Sequence, residues 1–276
     1  MAWLQKLRNL LEDERQIVLY GPPGTGKTFI ALELAEFLGG GPEQVKLVQF
    51  HPAYSYEDFF EGFRPREDPS TREVAFRLTP GPLRELADRA RKPENRHLPF
   101  FLVIDELNRA NLAKVFGELY FLLEYRDRSV RLTYSAKDFS LPPNLFIIGT
   151  MNTADRSIAL VDSAMRRRFA FVELSPRTEP TSGLLRRWLA AQERDSEPAD
   201  LLDALNSRIA DPDFKVGPAY LMKKGVYRDK QGLDRTWETK ILPLLEEHHY
   251  GEDFGIEQNY GLDALRRSLR QHRPQP

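Results

Sequence analysis

Ile17-Val18-Leu19-Tyr20 runs directly into Gly21-Pro22-Pro23-Gly24-Thr25-Gly26-Lys27-Thr28, and Phe29-Ile30-Ala31-Leu32 follows at once. The short apolar run predicts a buried strand. Leu34, Ala35 and Leu38 carry a helical pattern that stops at Gly39-Gly40-Gly41. Strand, glycine loop and helix in that order are the context in which G-x-x-x-x-G-K-T reads as a phosphate-binding P-loop. Glycines let backbone N–H groups turn toward phosphate oxygens, and the helix N-terminus adds partial positive charge. Gly21, Pro22, Pro23, Gly24, Thr25 and Gly26 are therefore the candidate cradle. Lys27 is the candidate cation for the β and γ phosphates, and Thr28 the candidate Mg²⁺ ligand.

Such a loop needs a second element to hold the metal and orient water. Phe100-Phe101-Leu102-Val103-Ile104 is an uninterrupted apolar run, as a parallel strand covered on both faces requires. It ends in Asp105-Glu106, at the strand end that faces the ligand crevice in open α/β sheets. Asp105 is the candidate Mg²⁺ holder and Glu106 the candidate residue that polarises the attacking water. A third strand, Leu145–Gly149, leads to Thr150-Met151-Asn152-Thr153-Ala154-Asp155-Arg156-Ser157. Asn152 is the candidate contact for the γ-phosphate and the water. Ser157 is placed to cap a helix carrying Ile158, Leu160 and Val161, which ends in Met165-Arg166-Arg167-Arg168. Arginines there complement the C-terminal dipole of a helix. Three in a row exceed what capping needs, and the favoured reading is an arginine finger acting on a neighbour's γ-phosphate.

The rest of the composition excludes more than it assigns. Forty basic residues against 41 acidic give a net charge of −1, which argues against a tail-driven nucleic-acid binder but leaves room for a local basic groove. With no cysteine there are no disulfides, thiol nucleophiles or cysteine metal sites. No apolar run reaches the ~20 residues that span a bilayer, and the N-terminus lacks a secretory apolar core. A cytoplasmic protein without membrane association is expected.

Together these segments resemble the AAA+ ATPases: P-loop, apolar strand ending in Asp-Glu, Asn after the next strand, then arginines. Three stretches are narrower than that superfamily. Phe50-His51-Pro52-Ala53-Tyr54-Ser55-Tyr56-Glu57-Asp58-Phe59, Asp105-Glu106-Leu107-Asn108-Arg109-Ala110-Asn111 and Met151-Asn152-Thr153-Ala154-Asp155-Arg156-Ser157 resemble the McrB family, from about Ile17 to about Glu252. The resemblance implies an α/β fold, with a central parallel sheet flanked by helices and a small C-terminal helical lid. It implies a nucleotide-dependent hexameric ring, GTP in preference to ATP, and stimulation by a McrC-like endonuclease subunit in an assembly that translocates on DNA. Carried over, the P-loop maps to Gly21–Thr28, the metal and water pair to Asp105 and Glu106, the sensor to Asn152 and the inter-subunit arginines to Arg167 and Arg168.

Two departures follow. McrB-type motors usually carry an N-terminal DNA-reading domain, whereas here the P-loop begins at residue 21, so DNA reading is expected elsewhere or in a segment removed. Many AAA+ lids also carry an arginine at a Gly-Ala-Arg turn. The matching stretch here is Val216-Gly217-Pro218-Ala219-Tyr220-Leu221, so no lid sensor is assigned. Asn152-x-x-Asp155 is superficially like a guanine reader, and Asp155 is kept as a nucleotide contact, although Asn152 is better used at the γ-phosphate. A MoxR-like ATPase that remodels proteins shares the general motifs and is the alternative.

The expected organisation is an α/β core over residues 1–175, with a short N-terminal helix bearing Trp3, Leu4, Leu7, Leu10 and Leu11, and a helical lid over 176–276. Asp68–Ser70 and Thr71–Leu78 read as a loop and a short strand. Val130–Tyr134 and Phe139–Leu141 read as a hairpin turning at Ser135–Asp138, either a pore element whose Arg131 and Lys137 meet DNA phosphates or an exposed polar hairpin. Pro212-Asp213 with Glu238-Thr239-Lys240 has the spacing of a PD…ExK nuclease, but the second stretch reads as helix rather than strand. His248 and His249 read as surface residues.

Overall fold

The computed structural model describes residues 2–67, 74–154 and 163–271. Helix α1 (Ala2–Glu14) turns Leu7 and Leu11 into the core, which is what its i, i+4 spacing dictates. Strand β1 (Gln16–Gly21) then enters the glycine loop, and α2 (Lys27–Gly39) leaves it. The chain continues through β2 (Val45–Gln49), α3 (Tyr56–Phe59), β3 (Glu61–Glu67), β4 (Val74–Pro80), α4 (Pro82–Ala90) and β5 (Phe100–Asp105). It goes on to α5 (Leu112–Phe116), α6 (Leu119–Leu122), β6 (Val130–Arg131), β7 (Asp138–Phe139), β8 (Leu145–Asn152), α7 (Ser163–Arg166) and β9 (Ala170–Glu173).

Five of these strands form one parallel sheet in the order β2-β5-β8-β1-β9. In the two pairs at one side, Val45 stands opposite Phe101 and Phe100 opposite Leu145. Burial explains the sequence. Ile17–Leu19, Phe100–Ile104, Leu145, Ile147 and Ile148 are at most 2 % exposed, because helices cover both faces and no polar face is left to alternate. β1 sits between β8 and β9, so the order in which strands are added to the sheet reverses beside it. Ligands of open α/β sheets bind at the C-terminal strand ends at such a switch point.

Two antiparallel hairpins decorate the sheet. β3 and β4 pair from Glu61↔Pro80 to Glu67↔Val74, a longer hairpin than the single strand over 71–78 expected from Val74, Phe76 and Leu78. β6 and β7 pair through only Val130↔Phe139 and Arg131↔Asp138, so the second hairpin is present with strands shorter than its alternation suggested. The helix expected from Ser157 lies outside the described residues except for its end, α7.

Beyond β9 the chain is helical: α8 (Leu184–Ala190), α9 (Glu197–Arg208), α10 (Gly232–Thr236), a π-helical turn (Trp237–Ile241), α11 (Leu242–His248), α12 (Ile256–Tyr260) and α13 (Leu262–Gln271). Their core is built on Trp237, fully buried, whose indole N–H donates to Tyr260 O at 2.9 Å, with Leu189, Leu201, Leu205, Ile241 and Leu265 around it. No described helix is long and apolar enough to cross a membrane. The chain divides into two compact units. One holds Met1–Leu19, Thr28–Met151 and Arg156–Val172, and the other holds Tyr20–Lys27, Asn152–Asp155 and Glu173–Pro276.

Candidate functional site

The residues singled out above fall in both units, and each group is built within its own. In the lid unit, the glycine loop owes its shape to Gly24 (φ 77°) and Gly26 (φ 87°), whose left-handed backbone a side chain rarely adopts. The Lys27 ammonium is 6 % exposed and donates to Gly21 O at 3.0 Å and Pro22 O at 2.8 Å. Thr25 Oγ1 donates to Pro22 O at 3.1 Å. Gly21 O also accepts the N–H of Thr153, the residue after half-buried Asn152, at 3.1 Å, so that segment meets the loop within this unit.

The loop is gripped by a lid segment that sequence reasoning left without a role. Gly217 N–H donates to Pro23 O and Ala219 N–H to Gly24 O, both at 2.9 Å. The approach is so close that a Cβ on Gly217 would fall 2.1 Å from the Gly24 carbonyl carbon, and a Cβ on Gly24 would fall 2.6 Å from the Tyr220 ring. The segment is stapled in turn to α9. Asn206 Nδ2 donates to Val216 O at 2.9 Å, and Asn206 Oδ1 accepts from Val216 N at 2.8 Å. Buried Lys215 donates to Asn206 O and Ile209 O, and burial, aided by Arg177, pushes its pKa down. The only sequence signal was a negative one, Gly-Pro-Ala-Tyr where many lids carry Gly-Ala-Arg.

In the core unit, Thr28, Asp105 and Glu106 come together through a residue the sequence did not flag. Asp105 Oδ1 accepts from Thr28 Oγ1 at 2.7 Å and from Thr150 Oγ1 at 2.6 Å. The Thr150 hydroxyl, 2 % exposed, also accepts the Glu106 backbone N–H at 3.3 Å. Glu106 is left-handed (φ 55°, ψ 47°), a conformation that costs a non-glycine residue roughly 1–2 kcal/mol and marks strain at a site. Its carboxylate lies 3.4 Å from Arg109 Nε, one short helical turn on. Two hard oxygen donors in contact, a hydroxyl and a carboxylate, are a donor set that suits Mg²⁺, which keeps several waters rather than needing an all-protein cage.

The three arginines do not share a fate. Arg168 is 8 % exposed, pairs with Glu124 at 2.8 Å, and lies 4.5 Å over the Tyr120 ring. Arg167, 63 % exposed, reaches the same carboxylate at 3.2 Å. Arg166 lies over Phe171. Asp155 is outside the described residues. The nuclease-like spacing dissolves on folding, since Pro212–Phe214 is a 3₁₀ turn and Glu238 and Lys240 lie on the π-helical turn, not on a strand pair. The two histidines are partly exposed, as surface residues are, and each also packs on an aromatic ring. His248 stacks on Phe214 at 4.1 Å, and His249 stacks on Phe254 at 4.1 Å while its Nδ1 meets Glu252 Oε2 at 2.6 Å. Adjacent helix positions point apart, so each fills a different aromatic cluster.

Comparison with known proteins places this geometry in context. Residues 16–169 match the family model of the AAA domain (dynein-related subfamily), and residues 197–257 match that of the McrB alpha-helical lid domain. The chain is 38 % identical over 274 residues to the type IV methyl-directed restriction enzyme EcoKMcrB subunit of Escherichia coli K12, covering 91 % of this chain and 57 % of that one. It is 30 % identical over 205 residues to the type II restriction enzyme BsuMI component YdiS of Bacillus subtilis 168, covering 61 % of this chain and 59 % of that one. The chain thus spans somewhat more than half the length of these curated relatives.

Proposed function

Because this chain belongs to the AAA family, in its dynein-related branch and with a McrB-type lid, we propose that it is the ring-forming, GTP-hydrolysing motor subunit of a restriction system. In this reading it assembles as a hexamer, works with a McrC-like endonuclease and translocates on modified DNA. The preference for GTP over ATP is what the resemblance of the Phe50–Phe59, Asp105–Asn111 and Met151–Ser157 stretches to the McrB family implies.

The observation that carries the hydrolytic part is the hydroxyl–carboxylate chain Thr28–Asp105–Thr150–Glu106. Backbone N–H groups of the Gly21–Thr28 loop bind the β-phosphate, and Lys27 leaves its loop carbonyls for the β and γ oxygens. Thr28 and Asp105 would hold Mg²⁺, which would offset phosphate charge. Glu106 orients the water and takes its proton as the water oxygen bonds to the γ-phosphorus and the bond to the β–γ bridging oxygen breaks. Asn152 positions the γ-phosphate, and Asp155 remains the candidate second contact to the nucleotide. Arg167 and Arg168 form the inter-subunit pair, with exposed Arg167 as the side chain that reaches the neighbour and buried Arg168 as its support.

The test is hydrolysis of GTP and ATP side by side, with assembly followed by light scattering, with and without DNA and the candidate endonuclease subunit. Turnover of GTP that rises with ring formation and with the partner is expected. Glu106→Gln should abolish turnover while nucleotide binding and assembly persist. Preference for ATP, with turnover indifferent to DNA and to the endonuclease, would overturn this reading in favour of a MoxR-like ATPase acting on proteins.

A further inference from the structure

The lid holds a concentration of positive charge that the nucleotide chemistry does not use. Five of the chain's eleven lysines fall between residues 215 and 240, where seven basic residues stand against three acidic ones. Folding gathers Lys223, Arg228, Arg235 and Lys240 on the walls of one open cleft of about 310 Å³, with Tyr220 and Thr239. Of the three acids, Glu238 is exposed on the turn that carries Lys240, and the other two are engaged. Asp229 takes Arg235 at 3.1 Å, and Asp234 is held by Arg266 at 3.4 Å. Lys223, Arg228 and Lys240 are exposed and make no ion pair among the described residues. Three exposed cations around one concavity repel one another, with only Asp229 beside Arg228 to offset them, and an anion there converts that repulsion into attraction.

Two further observations point the same way. The wall bearing Thr239 and Lys240 is the π-helical turn Trp237–Ile241, and π turns are rare and frequent at functional sites. It is pinned from beneath by Trp237, whose indole is bonded in the lid core. The Tyr220 ring borders the cleft and also abuts Gly24 of the glycine loop. One side chain therefore touches both the cleft and the phosphate loop.

We propose that this cleft binds the phosphate backbone of a nucleic acid, and that Tyr220 transmits its occupancy to the glycine loop. An acidic peptide is held best by guanidinium forks, and of the two arginines here Arg235 is engaged by Asp229, which leaves Arg228 alone open. What remains is two lysine point charges and one arginine beside an aromatic ring, a combination suited to phosphates spaced along a backbone. The proposal stands whether the loop hydrolyses GTP or ATP.

The test uses the full chain and a labelled 20-nucleotide DNA, single-stranded and duplex, with affinity measured against salt. Combining Lys223→Glu, Arg228→Glu and Lys240→Glu should weaken binding tenfold or more. It should also flatten the log–log salt slope by about 2 to 3, at roughly 0.7–0.9 for each phosphate no longer neutralised. Lys6→Glu, a single reversal of the same kind on α1, should leave both unchanged. A glutamine set at the three positions, with folding checked by thermal melting, separates charge loss from misfolding. Unchanged affinity and slope in folded variants overturn the proposal. So does a cleft that takes inorganic phosphate but no DNA, or one whose variants lose oligoglutamate and keep DNA. Tyr220→Leu should stop DNA from shifting the nucleotide Kd. If the shift survives, the link through Tyr220 is refuted.

Discussion

The Thr150 hydroxyl donates to the Asp105 carboxylate and accepts from the Glu106 backbone, so one buried oxygen fixes both acids. Hydrogen bonds to charged groups are worth about 1.5–3 kcal/mol. Thr150→Val should therefore lower kcat roughly ten- to hundredfold with little change in KM, and Thr150→Ser should restore it. A variant with kcat intact would remove Thr150 from the positioning of Glu106. Gly217 offers a second test at this scale. Its φ is −77°, so glycine is required by the closeness of Gly24 rather than by backbone strain. Gly217→Ala should cost about 1–3 kcal/mol by overpacking and weaken nucleotide binding, read by thermal melting and by titration with labelled nucleotide. Neither residue was legible in the sequence. Lys27, Thr28, Asp105 and Glu106 sit in motifs contiguous along the chain, whereas Thr150, Gly217 and Tyr220 matter only through neighbours brought close by folding.

At the scale of elements, β1 is anchored by a buried polar network. Gln16 Nε2 donates to Leu123 O and Arg168 O, both at 2.7 Å, and Arg126 donates to Gln16 Oε1 and to Leu145 O. Gln16→Leu removes the acceptor of a buried guanidinium and should destabilise by about 2–3 kcal/mol. That corresponds to a fall in Tm of roughly 4–12 °C, checked by calorimetry. The Phe50–Phe59 stretch also acquires a physical meaning. Ser55 and Asp58 form a capping box that starts α3, and Phe50 and Phe59 meet edge to face at 5.4 Å. Ser55→Ala should cost about 1 kcal/mol in a denaturant titration. The central strands were readable because burial on both faces makes them continuous apolar runs. β3 was not, because Glu61-Gly62-Phe63-Arg64-Pro65-Arg66-Glu67 holds a glycine, a proline and charges that argue against a strand. Pairing with β4 makes it one, with Pro65 opposite Phe76 in a two-stranded hairpin.

For the whole molecule, the contrast between Arg167 and Arg168 becomes a prediction about assemblies. Arg168→Ala should lower Tm, because Glu124 and Tyr120 lose a packed partner, whereas Arg167→Ala should leave stability within about 0.5 kcal/mol. If Arg167 serves a neighbour, mixing Arg167→Ala with Lys27→Ala subunits should restore part of the turnover each lacks alone. A mixture no more active than its components would confine Arg167 to its own chain. The grip of the lid segment on the glycine loop has one more consequence, at the ribosome. Pro23 and Gly24 emerge first, and the N–H groups of Gly217 and Ala219 that hold their carbonyls arrive about 195 residues later. At about 5–20 residues per second, the nascent loop waits roughly 10–40 s for them. Nucleotide capture is thereby a late event of biosynthesis, and a chain cut short before residue 217 is released without a finished loop.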